Sequence, residues 1–152
     1  MKKFFAVLGV IFLIVIVVGV VGFALIAMRG NALDKESKTY ADAAIPAIVT
    51  TWNAKELLDR ASPELRQSAP QQQFYQLFGR FAGLGHLQRC EPAQGQSISG
   101  VTWQNGLQEK AEYTAKATFD KGDAVIDLAL IKHGDQWQIL WFFVKPLTQP
   151  SR

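Results

Sequence analysis

The chain of 152 residues has one cysteine, Cys90, and two histidines, His86 and His133. A lone cysteine excludes an internal disulfide framework and is most often a small buried apolar side chain, with a bridge to another chain as the alternative. Neither histidine has a Cys, Asp or Glu at metal-ligand spacing, so no metal site is expected and no cofactor is implied. His133 stands beside the turn residue Gly134, and His86 follows a helix end, where a cationic ring favours the dipole. No strand precedes Gly83-Leu84-Gly85, which excludes a phosphate loop there. Charges alternate in sign without a basic stripe, and Lys2 and Lys3 supply two of the net +3. Nucleic acid is therefore not an expected partner.

What the chain has in excess is apolar sequence at its start. Phe4 to Met28 carries no charged or strongly polar side chain, and 18 of its 25 residues are Leu, Ile, Val or Phe. As a helix the run is about 37 Å long, against a hydrocarbon core of about 30 Å. Each of those large apolar residues favours insertion by roughly 0.3–0.6 kcal/mol at mid-membrane. A cleaved signal peptide ending near Gly22-Phe23-Ala24 is the competing reading, but its apolar region would exceed the usual 7–15 residues. An uncleaved anchor, contacting the bilayer through residues 4–28, is the expectation. Gly19 and Gly22 do not make the Gly-x-x-x-Gly dimer spacing. The short basic tail at Lys2 and Lys3 places the N-terminus in the cytoplasm and the remainder outside the cell membrane, in the periplasm. The expected organisation is residues 1–29 as tail and transmembrane helix, 30–146 as an extracytoplasmic domain, and 147–152 as a C-terminal tail.

Beyond Leu33, Ala41, Ala44, Ile45, Ile48, Val49 and Trp52 recur at helical spacing, with Pro46 predicting a kink or a restart. Asn53 and Glu56 form a capping-box signature for a second short helix. Ser62-Pro63-Glu64 has the order of an N-cap, a first-turn proline and an acid. Pro70 opens a helix bearing Phe74, Leu77, Phe78 and Phe81, which Gly83 and Gly85 stop. After Cys90 the period changes to two. Ala111, Tyr113, Ala115, Ala117 and Phe119 alternate with Lys110, Glu112, Thr114, Lys116 and Thr118, a strand with one buried face. Strands over 124–132 and 136–144 follow, with a weaker one over 97–104 turning at Asn105-Gly106.

A two-residue loop at Lys121-Gly122 predicts Phe119 opposite Ala124 and Lys116 opposite Asp127. A second at Gly134-Asp135 predicts Ile139 opposite Leu130 and Trp141 opposite Leu128. That register points Val125, Ala129, Ile131, Leu140, Phe142 and Val144 away from the helices, joined by Val101 and Trp103 if Asn105-Gly106 is a tight turn. So apolar an outer face marks a partner surface. Tyr113, Trp141 and Phe74 are predicted to line the cup between sheet and helices. Asp127 is read as structural because the register turns it outward, and Asp42 as a solvated helix residue. The fold class expected is α+β, with about three helices on one face of a curved antiparallel meander sheet after the transmembrane helix.

The stretches Trp52-Asn-Ala-Lys-Glu-Leu-Leu-Asp59, Ala61-Ser-Pro-Glu-Leu65 and Gly134-Asp-Gln-Trp-Gln-Ile-Leu140 carry a resemblance over residues 40–146. They resemble the nuclear-transport-factor-2-like (cystatin-like, SnoaL-like) superfold as found in small bacterial membrane-anchored envelope proteins. Anchor plus superfold also resembles the periplasmic scaffold subunits of type IV secretion systems. The superfold hosts isomerases, cyclases, carriers and scaffold subunits, so it does not define an activity. No catalytic residue is assigned and no enzyme is expected. The reading is a non-catalytic binding or assembly module, forming a homodimer or meeting an envelope protein through its outer face. The alternatives are a carrier of a small apolar ligand and an isomerase- or cyclase-like enzyme.

Overall fold

The computed structural model describes residues 2–147, with side chains from Gly9 onward. Helix α1 (Lys2–Thr51) contains both the apolar run and the amphipathic pattern around Ile45. The chain divides into two units between Leu33 and Asp34. In the first, every large apolar side chain from Val10 to Met28 is exposed. This stretch is long and apolar enough to cross a membrane. The side chains of Lys2 and Lys3, and residues 148–152 of the expected C-terminal tail, lie outside the described residues.

In the second unit, residues 34–51 of α1 bury Ala41, Ala44, Ile45, Ile48 and Val49. Of the kink or restart expected at Pro46, the restart does not occur, for α1 continues to Thr51. Apolar burial on both sides of the proline outweighs the lost backbone bond, since tertiary packing rather than propensity holds most helices. Asn53 caps α2 (Ala54–Arg60), accepting from the Lys55 N–H at 3.0 Å. Glu56 does not complete the capping box; its carboxylate takes Arg60 at 2.7 Å instead. Buried Ser62 caps α3 (Pro63–Ser68), and α4 (Gln71–Phe81) passes into a 3-10 turn at Ala82–Leu84. Gly85 ends that turn at φ +85°, and a Cβ there would meet Asp120.

Five antiparallel strands follow: β1 (Leu87–Cys90), β2 (Gln94–Thr102), β3 (Gly106–Phe119), β4 (Gly122–His133) and β5 (Gln136–Leu147). The sheet runs β1-β3-β4-β5, and β2 also pairs with β3. Thus β1 and β2 share one edge, interrupted at Glu91-Pro92-Ala93. Where β2 begins, Gly95 lies so close to β3 that a Cβ would fall on the Glu112 carbonyl. The helix-side face of the sheet holds Ala111, Tyr113, Ala115, Ala117 and Phe119 of β3, all buried. Trp52 packs on Phe119 with ring centroids 5.2 Å apart. The protein is an α+β structure whose short helices and the second half of α1 cover one side of an antiparallel sheet.

Both predicted registers need correction. Phe119 pairs with Gly122 and Ala117 with Ala124, so the loop is Asp120-Lys121 rather than Lys121-Gly122. The slip is two residues, one full side-chain period, and therefore leaves the buried face unchanged. Ile139 does pair with Leu130, but a bulge follows, and Trp141 then pairs with Ala129 while Phe142 pairs with Leu128. One extra residue in β5 exchanges its two faces from there on.

Candidate functional site

The bulge at Leu140 decides which side chains the outer sheet face presents. Phe142 and Val144, expected there, turn to the helix side: Phe142 meets Phe78 of α4 at 6.2 Å, and Val144 is buried opposite Ile126. Leu140 sits in the bulge, half-buried. In exchange Trp141 and Phe143 face outward, 39% and 59% exposed. Val125, Ala129 and Ile131 keep the outward register expected of them. Ala129 and Ile131 are nonetheless buried, flanked in register by Glu112 and Trp141 and by Lys110 and Gln138.

Across the sheet the outer face changes character. Its β4–β5 half carries Val125, Ala129, Ile131, Trp141 and Phe143, whereas β3 offers Lys110, Glu112, Thr114 and Lys116. A shallow depression of about 560 Å³ lies between them, lined by Gln96, Ile98, Glu112, Thr114, Asp127 and Trp141 among others. Asp127 faces outward but not beside Lys116. It accepts from Thr114 Oγ1 at 2.8 Å and from Lys145 Nζ. The hydrogen bond from Lys145 holds its carboxyl below the usual range. A general base calls for the opposite shift.

The three cup-wall residues are not brought to one surface. Tyr113 is buried on the helix side, its hydroxyl 2.8 Å from Ser37 Oγ and donating to the Asp34 carbonyl at 3.2 Å. Burial pushes its phenol up. Phe74 is buried on α4, and Trp141 lies on the opposite side of the sheet. The depressions described on the helix side open to solvent. One of about 290 Å³ adjoins Ile45, Pro46 and Cys90, and one of about 600 Å³ adjoins Tyr40, Arg60 and Trp137. Burial raises the Cys90 thiol, the opposite of a reactive thiolate.

Two polar seams escaped the sequence reading. Asp34, Lys38 and Asp42, one turn apart on α1, clasp the start of β2. Asp34 accepts from the Ser97 N–H at 2.6 Å, and Asp42 from the Ala93 N–H at 2.8 Å. Lys38 bridges Asp42 and the Ala93 carbonyl. Asp42 is exposed, as expected of a solvated helix residue, and in addition docks β2; its i, i+4, i+8 spacing with Asp34 and Lys38 was the available signal. The second seam is Lys132, 2.9 Å from Glu36, 3.8 Å from Glu109 and stacked over Trp137. His86 and His133 pair with Asp120 and Glu64, at 2.9 and 3.2 Å. Among the described residues no group of three or more His, Cys, Asp or Glu could hold a metal ion.

The hairpin loop between β2 and β3 also departs from expectation. It is three residues, Trp103-Gln104-Asn105, because Thr102 pairs with Gly106. The three-residue difference puts Val101 opposite Leu107, on the helix-side parity and away from the outer face. Trp103 stands at the tip, fully exposed. Compared with protein-family models and with curated proteins, the sequence matches none.

Proposed function

We propose that this protein is a membrane-anchored, non-catalytic binding or assembly module of the bacterial cell envelope, and that it associates with a second copy of itself through the outer face of β4 and β5. The observation that carries the reading is the side-by-side exposure of Trp141 and Phe143 on the outer sheet face. Burying such aromatics contributes roughly 25 cal/mol per Å² of apolar surface removed from water. A second copy suits the face because its halves differ. The β4–β5 side, apolar apart from the Asp127–Lys145 pair, lies beside a mixed-charge β3 side, and a two-fold-related copy sets the apolar side against its own counterpart. The exposed apolar helix supports an anchor, which confines association to two dimensions.

The superfold is proposed to be nuclear-transport-factor-2-like, and the domain to lie on the extracytoplasmic side. Single-molecule photobleaching of the labelled full chain in supported bilayers tests the association. Two-step bleaching is expected for the native chain and one-step bleaching for Phe143→Asp. Single steps for the native chain at all surface densities would remove the reading.

A further inference from the structure

The β2–β3 hairpin extends past its neighbours. β4 accompanies β3 only from Lys110 onward, so from Ser99–Glu109 outward the ribbon has two strands alone. Two-stranded ribbons are marginal in water, yet this one ends in Val101 at 80%, Trp103 at 106% and Leu107 at 55% exposure. From Gln94 to Gln108 there is no charged residue.

The ribbon's direction follows from the α1 seam. β2 starts beside Asp42 at Ala93 and reaches Asp34 at Ser97. It therefore runs toward the end of the domain where the chain enters. From Ser97 to Trp103 the strand advances about 20 Å. Met28, the last residue of the apolar run, precedes Asp34 by six residues, a link of at most about 20 Å even when fully extended. The tip thus reaches as far past Asp34 as the link can hold Asp34 from the apolar run.

We propose that the hairpin tip is a second membrane contact, with Trp103, Val101 and Leu107 seated in the headgroup region of the bilayer that holds α1. Tryptophan favours that zone because its ring is apolar and its N–H finds a wet partner. An uncharged ribbon enters it without desolvating an ion. The inference rests on the anchor reading and is independent of self-association.

The test reconstitutes the full chain in vesicles of phosphatidylcholine and phosphatidylglycerol, with bromine on the acyl chains near the headgroups. Tryptophan quenching is compared for the native chain, Trp103→Phe and Trp141→Phe. The quenched fraction is expected to fall severalfold in Trp103→Phe and not to fall in Trp141→Phe. Equal quenching in the native chain and Trp103→Phe overturns the proposal. So does a Trp103 that aqueous iodide still quenches, and so does one shielded from both quenchers, which would assign the tip to a protein partner. Alkaline carbonate extraction of the same vesicles reads the anchor separately. Chain retained without Trp103 quenching defeats the hairpin alone, and chain extracted defeats both.

Discussion

Phe142 of β5 stacks against Phe78 of α4, centroids 6.2 Å apart, while its neighbour Phe143 is 59% exposed on the opposite side of the sheet. Consecutive residues of one strand thus serve the core and the surface. In full-length protein carrying Cys90→Ser, diluted in detergent to single chains, a thiol at Phe143→Cys is expected to react with maleimide at close to the unfolded rate. Phe142→Cys is expected to react at least tenfold more slowly, since it must wait for local opening. Comparable rates would place the bulge elsewhere. Phe78→Ala, emptying a site 2% exposed, is expected to cost about 3–5 kcal/mol, read by denaturant unfolding.

The bulge was illegible for a physical reason. Ile139 to Val144 is apolar at every position, so no alternation marks the exchange of faces. β3 was legible because Ala111 to Phe119 alternates with charged and threonine residues. There a two-residue error in the loop did no harm to the buried face. The caps at Asn53 and Ser62 were readable from local chemistry alone, whereas the absence of a restart at Pro46 depends on burial around it, a tertiary fact. β1 has only four residues, too few for a period to emerge. The Asp34–Lys38–Asp42 seam has helical spacing, but its partners are backbone groups that no pattern of side chains announces.

Gly95 is held by contact rather than by its dihedral angles. Gly95→Ala is expected to destabilise by about 1–3 kcal/mol or more, because the new methyl meets backbone of β3 that cannot rotate away. Gly100→Ala, with open space at its Cβ, serves as the control. Thermal unfolding of the two variants should separate them clearly; equal midpoints would contradict the close approach.

The buried hydroxyl pair gives a coupled prediction. Ser37→Ala and Tyr113→Phe each remove one partner of the 2.8 Å bond, and each is expected to cost about 1 kcal/mol. The double variant should cost less than the two together, since the pair is lost only once. Strict additivity in denaturant titrations would mean that the two hydroxyls act independently.

Asp127 links the outer face to pH. Its folded carboxyl titrates below the ordinary value of about 3.9. The Lys145 and Thr114 bonds therefore add stability that is fully present above that ordinary value and is lost as pH falls through the folded one. Lys145→Met should move the Asp127 titration upward in carbon-13 carboxyl NMR and weaken the acid dependence of unfolding. An unmoved titration would show that Lys145 is not its principal partner.

Homobifunctional cross-linking of Phe143→Cys in a Cys90→Ser background tests whether the outer β4–β5 face joins two copies in the membrane, as proposed. With the full chain in native membranes, a covalent dimer is expected from Phe143→Cys and none from Thr118→Cys, on the polar β3 side of the same face. A Phe143→Cys chain that stays monomeric while its thiol remains reactive would contradict the claim.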